Sequence, residues 1–242
     1  MHITGPLFKW FGSKWLSSKT LPAPRFDTII EPFAGGAGYS LRHSYKQVII
    51  CETDLNCHKL WHWLINEATC EAIREIPIKN LEGADIREMG LSEGQALLLK
   101  SWQRTNSIGN CWTISKWGNG SGQWSANTRA RLSNEVQFIK HWRLGRNATE
   151  PMAVIGLEPA TWFIDPPYQY NFQYGANPLD YNALGQSVRK LRGQVIVCEA
   201  IDPKEGRLPD WLPFKYFDSR PTSRRKATNN NQSHELIYEA TQ

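Results

Sequence analysis

The strongest constraint on this chain is a short stretch, residues 27–51, in which two apolar runs, DTIIE and VIIC, bracket a glycine cluster. Short runs rich in β-branched residues and closed by turn residues read as buried strands. Two such strands lying parallel cannot be joined by a tight turn; they need a crossover, which residues 39–45 can supply as a helix. The crossover is right-handed in nearly every known case, so a β-α-β unit opens a ligand crevice at the strands' carboxyl ends. The stretch therefore predicts an α/β fold whose chemistry sits at one sheet edge.

The chain's 242 residues suffice for one sizeable core, with room for an insertion, and hardly for two large domains. No apolar run approaches the ~20 residues of a bilayer span, and the N-terminus, MHITGPLFKWFGSKW, lacks the apolar core of a secretory signal. The expectation is a globular chain in the cytosol. Five cysteines, Cys51, Cys57, Cys70, Cys111 and Cys198, form no C-x-x-C pair and read as reduced and mostly buried. The net charge of +5 favours polyanions weakly. Among the 11 tryptophans, Trp102, Trp112, Trp117, Trp124 and Trp142 stand in polar, Gly-rich or basic surroundings, where rings can stack on bases as well as fill a core.

Residues 55–65 and 92–102 carry helical spacing, whereas residues 105–127 are rich in Gly, Asn, Ser and Trp with no sustained period and read as an insertion or long hairpin. Residues 129–146 return to helical spacing, with Leu132, Val136 and Ile139 on one face and Arg129, Arg131, Lys140 and Arg143 elsewhere. Residues 153–155, 161–164, 195–198 and 236–238 look like further strands, and 183–191 like a helix. The expected division is a catalytic domain over 1–55 and 146–242, with 56–145 inserted.

Two segments carry chemistry. EPFAGGAG, residues 31–38, follows a strand and precedes a helix, so its glycines let backbone approach a ligand. It fits a dinucleotide fingerprint poorly, because Leu41 stands where the third glycine belongs, while Asp54 in ETDLN is placed to hold a ribose hydroxyl pair. A nucleoside-type ligand is expected. FIDPPYQY, residues 163–170, delivers an acid, two prolines and an aromatic to the same edge. The prolines fix φ and lack an N–H, so the Pro166 carbonyl can be held beside the Asp165 carboxylate as a second acceptor. Two acceptors suit an amino group that gains positive charge in an SN2 transition state. Tyr168 offers a stacking face, and the plain alternative is a turn that merely contains this motif.

Together these segments resemble the Dam-type adenine-specific DNA N6-methyltransferases, with the glycine motif early and the D-P-P-Y motif late, the order of their alpha group. Lys9, Trp10, Phe11, Gly12, Ser13 and Lys14 match that family's opening Lys-Trp-x-Gly-x-Lys element. The resemblance implies a class I methyltransferase fold, Rossmann-like, with a seven-stranded mixed sheet and an inserted target-recognition region. It implies that Trp10 and Lys14 contact S-adenosylmethionine, that the loop with Phe33, Gly35 and Gly36 wraps its amino-acid end, and that Asp54 binds its ribose. Asp165, with Pro166, Pro167 and Tyr168, would face both methyl donor and a flipped adenine. The HELIYEA strand behind a basic loop also looks like the family's C-terminal hairpin. Where the family often carries an Asp-Phe-like element, this chain has GRNATEPM, offering Asn147 or Glu150.

The partner so implied is double-stranded DNA. Arg104, Lys116, Trp117, Trp124, Arg129 and Arg131 interleave cations with aromatics, which suits phosphate and base contacts, and Arg224, Arg225 and Lys226 form a basic loop. A solvated surface is the competing reading of these charges. His58 and His62 stand at i, i+4 but have no third ligand in view, so no metal is expected. The same fold could act on cytosine N4, an RNA adenine or a protein amide, or bind DNA without turnover; monomer and weak dimer on DNA both stay open.

Overall fold

The computed structural model describes residues 2–78, 82–103, 112–114, 123–146, 158–170, 179–202, 204–217 and 235–241. Its sheet has seven strands: β1 (Thr28–Glu31), β2 (Gln47–Cys51), β3 (Arg143–Gly145), β4 (Ala160–Ile164), β5 (Gly193–Ala200), β6 (Lys215–Tyr216) and β7 (Glu235–Thr241), in the order β3-β2-β1-β4-β5-β7-β6. The pairs β1/β2, β1/β4, β2/β3 and β4/β5 are parallel, and β7 runs antiparallel to both β5 and β6. The fold is thus α/β with a mostly parallel mixed sheet, compatible with a Rossmann-like arrangement. Every residue of β4 and β5 is buried, as expected of central parallel strands covered on both faces. Strand order reverses between β1 and β4, and the crevice at such a reversal is where open α/β sheets take ligands.

Among the described residues the α-helices are α1 (Gly38–Arg42), α2 (Leu55–His62), α3 (Cys70–Glu75), α4 (Glu93–Gln103), α5 (Ala126–Glu135) and α6 (Tyr181–Val188). Side chains cap five of them: Asp54 accepts from the Cys57 N–H, Thr69 from Ala72, Ser92 from Gln95, Ser125 from Thr128 and Asp180 from Ala183. The crossover helix α1 is shorter than the expected 39–45. Its Tyr39 lies flat on Phe163 of β4, with centroids 4.3 Å apart and planes 5° apart, and so pins the helix to the sheet.

The long helix expected over 129–146 ends at Glu135, passes through a 3-10 turn (Val136–Ile139), and gives way to β3, where Ile49 faces Arg143 and Cys51 faces Gly145. Leu132, Val136 and Ile139 are buried as their spacing predicts, so periodicity found the apolar face. It could not see that backbone groups three residues on would be satisfied by the β2 edge instead of a helix. β3 lies inside the range expected for the insertion. Cys57, Leu60, Trp61, Leu97 and Leu132 from that range share one core cluster with Ile29, Ile50, Tyr39 and Phe163. The strand expected at 153–155 and most of 105–127 lie outside the described residues; within the latter, Thr113 bridges to Asp85. β6, two residues long, gives no periodic signal at all. Among the described residues no helix is long and apolar enough to cross a membrane.

Candidate active site

The glycine turn after β1 is held from several sides. The Gly35 N–H donates to Glu52 Oε2 at 2.8 Å, while its carbonyl accepts from Trp61 Nε1 at 2.7 Å and from the Cys57 thiol at 3.4 Å. Gly35 has φ +47°, a conformation that favours glycine, and a Cβ there would stand 2.5 Å from Trp10 Nε1. A Cβ on Gly36 would meet Trp10 Cβ at 3.1 Å, and one on Gly38 would run into the backbone of Lys14 and Trp15. The space left by the glycines is thus filled by the chain's own Lys9–Lys14 element, where the sequence suggested bare backbone for a ligand. Phe33, half-buried, packs on the other side of the sheet against the cluster around Trp162.

Two acids follow β2 and diverge. Asp54 is exposed, and its Oδ1 is engaged at 2.9 Å as the α2 cap. Glu52 turns inward, accepting from Gly35 and, through Oε1, from the Asp54 N–H at 2.8 Å; burial raises its pKa. Glu31, at the end of β1, is 1% exposed and accepts the Ser40 N–H at 2.6 Å. Burial pushes it up to about 8. Neither Glu52 nor Glu31 stood out in the sequence, although both directly close strands that did.

At the end of β4, Lys14 Nζ lies 2.8 Å from both Asp165 oxygens and donates to Oδ2. Oδ1 is buried and receives no hydrogen bond among the described residues. The Lys14 and Asp165 side chains are 7% and 17% exposed, so this is a recessed pair, not a surface one. Burial opposes the Lys14 charge, yet Asp165, helped by Tyr168, Cys198 and Glu235, holds its pKa well above the usual value. The same ammonium sits 5.0 Å from the Tyr168 ring centroid. Tyr168 Oη is buried with no hydrogen-bond partner among the described residues, and burial followed by the Asp165 charge drives that phenol's pKa up.

The prolines behave differently from each other. The Pro167 carbonyl accepts the Tyr181 hydroxyl at 2.6 Å, whereas the Pro166 carbonyl has no donor among the described residues. Beyond them the Gln169 N–H points at the Glu199 carboxylate, 3.2 and 3.3 Å from its oxygens. Glu199 is fully buried in β5, also accepts from the Ala200 N–H and Trp211 Nε1, and is raised by burial to about 7. Tyr181, Glu199 and Trp211 carried no motif. An acid inside an otherwise apolar strand, GQVIVCEA, was the available signal for Glu199.

Three of the residues expected to meet nucleic acid, Trp124, Arg129 and Arg131, make contacts within the fold. Trp124 is 1% exposed and donates from Nε1 to the Pro77 carbonyl at 2.8 Å. Arg129 donates to the Ile76 carbonyl at 2.9 Å; Arg131 pairs with Glu135 at 2.5 Å and reaches the Pro6 carbonyl at 2.7 Å. Their charges satisfy backbone acceptors between helices and the N-terminal segment. Arg104, Lys116, Trp117, Arg224, Arg225 and Lys226, with Asn147 and Glu150, lie outside the described residues. His62 pairs with Glu67 through Nδ1 at 3.1 Å, and among the described residues no group of three or more His, Cys, Asp or Glu could hold a metal ion.

A scan of the chain against protein-family models finds no match, and a search of curated proteins finds none. The site's chemistry is therefore read from its own groups. It gathers a recessed acid paired with Lys14, a proline carbonyl next to it in the chain that has no donor among the described residues, an aromatic face, and two carboxylates just after β2.

Proposed function

We propose that this protein is an S-adenosylmethionine-dependent DNA adenine-N6 methyltransferase of the Dam-type alpha group, on a class I methyltransferase fold. One observation carries the reading: Lys14 and Asp165, 151 positions apart and each from a motif behind the resemblance, form an ion pair at the sheet's switch point beside the glycine turn.

The residues fit the methyl donor by their chemistry. Glu52 and Asp54 offer carboxylates for a hydroxyl pair, and Trp10 lies across the glycine turn. Bound there, S-adenosylmethionine would supply a methyl on a positively charged sulfur, an electrophile needing no metal.

The chain's part is then reception of the nucleophile. Asp165 and the Pro166 carbonyl accept the amino hydrogens of an adenine drawn out of the duplex, and Tyr168 stacks on its ring. Both acceptors favour a nitrogen that turns pyramidal and cationic as it attacks, so they bind the transition state more tightly than the ground state. Lys14 now occupies the contacts intended for the base, the acid and the aromatic face. It must turn aside as the base enters, and the carboxylate exchanges one cation for another in the making.

Incubation with labelled S-adenosylmethionine and unmodified plasmid, digestion to nucleosides and mass spectrometry test the reading. Label in N6-methyl-2′-deoxyadenosine is the expected result. Label in N4-methyl-2′-deoxycytidine would reassign the acceptor, and cofactor binding with no incorporation would make the protein a binding module.

A further inference from the structure

We infer that Tyr181 and Glu199, bridged by Trp211, are positioning residues that clamp the Asp165–Gln169 corner from both sides and select which proline carbonyl receives the amine. The inference rests on the proposed reading of Asp165 and Pro166 as acceptors. Pro166 and Pro167 have no N–H, so a sheet ladder cannot hold this corner, and its geometry must be set by side chains reaching in from elsewhere. Tyr181, at the start of α6, takes the Pro167 carbonyl at 2.6 Å; Glu199 takes the Gln169 N–H two positions on. Trp211, 2% exposed, links the two: its ring lies 5.8 Å from the Tyr181 ring, and its Nε1 donates to Glu199 Oε2 at 3.1 Å. Trp211 is itself anchored, its carbonyl accepting from Arg189 at 3.0 Å.

With the Pro167 carbonyl already engaged, the Pro166 carbonyl is left as the acceptor next to the acid. A corner held at one backbone carbonyl and one backbone N–H cannot swivel about Asp165 without breaking one of these partly buried hydrogen bonds. That is the rigidity an in-line transfer needs, since small misplacements of reacting groups cost rate out of proportion to their size.

Tyr181→Phe removes only the hydroxyl and keeps the ring on Trp211. Single-turnover methyl transfer to plasmid is expected to fall about 10- to 100-fold, with the S-adenosylmethionine Kd from calorimetry and the thermal midpoint near wild type. Glu199→Gln is expected to behave alike, because one face of its amide presents N–H groups to another donor. Hydrogen exchange of the peptide covering residues 165–170, measured without substrate, should quicken in both variants while global protection holds. If the wild type transfers methyl and Tyr181→Phe matches it, the clamp is wrong and the function stands. If the wild type transfers nothing, the function fails, and unchanged exchange in both variants would overturn the clamp by itself.

Discussion

Two regions of this molecule use charged and aromatic residues for opposite ends. At the carboxyl edge of the sheet, Glu31, Lys14, Asp165, Tyr168 and Glu199 are buried or recessed together, burial raises the carboxyls of Glu31 and Glu199, and the Tyr168 hydroxyl has no hydrogen-bond partner among the described residues. Across α3 to α5, Trp124, Arg129 and Arg131 look equally suited to chemistry in the sequence, yet each is satisfied by a backbone carbonyl of a neighbouring segment. Residue type does not separate the two regions. What separates them is whether the fold itself uses up the polar group, because an unsatisfied buried acceptor costs stability and persists where something else requires it.

The comparison breaks most readily at Asp165. Asp165→Asn keeps the shape of the corner and removes its charge, and transfer per folded molecule should fall about 10⁴-fold; near-normal turnover would strip the edge of its special status. Next in size, Trp124→Ala should cost about 3 to 5 kcal/mol in a urea titration, as for a large buried ring lost from a core. A small stability change with weakened plasmid binding would return Trp124 to the nucleic-acid interface.

A third test uses pH. Glu31 is raised to about 8 in the folded chain from a usual value near 4.5, so the native state keeps a proton that the unfolded chain releases. Stability from this group is complete below its unfolded pKa and drains away as pH climbs through the folded one, on the order of 3 kcal/mol between pH 5 and 8. Glu31→Gln, which can still accept the Ser40 N–H, should flatten that slope in denaturant midpoints. The smallest effect is expected from Arg129→Ala, whose slope of log affinity for plasmid against log salt should match wild type. A slope lower by about 1 would count Arg129 among the phosphate contacts after all.

Much of the fold was legible because it depends on neighbours in the chain. The β1-α1-β2 unit, β4, β5 and β7 follow from apolar runs and their closing turn residues, and the buried face of Leu132, Val136 and Ile139 from helical spacing. The site was legible at Asp165 and its prolines for the same reason, since acid, fixed φ and missing N–H are properties of consecutive residues. Glu52 stayed hidden behind Asp54 because two acids two positions apart are equivalent in sequence; only the turn of the backbone after Cys51 sends one inward.

The sequence alone determined the parallel strands, the glycine turn between them and the stiff corner after β4, because steric and periodic rules act within a few residues. Tertiary structure decided which charges are spent. Lys14 finds Asp165 across 151 positions, Arg131 finds the Pro6 carbonyl across 125, and Trp124 finds the Pro77 carbonyl across 47. Whether a cation is a ligand-binding group or a strut depends on which distant backbone is brought within 3 Å of it, and no local pattern encodes that distance.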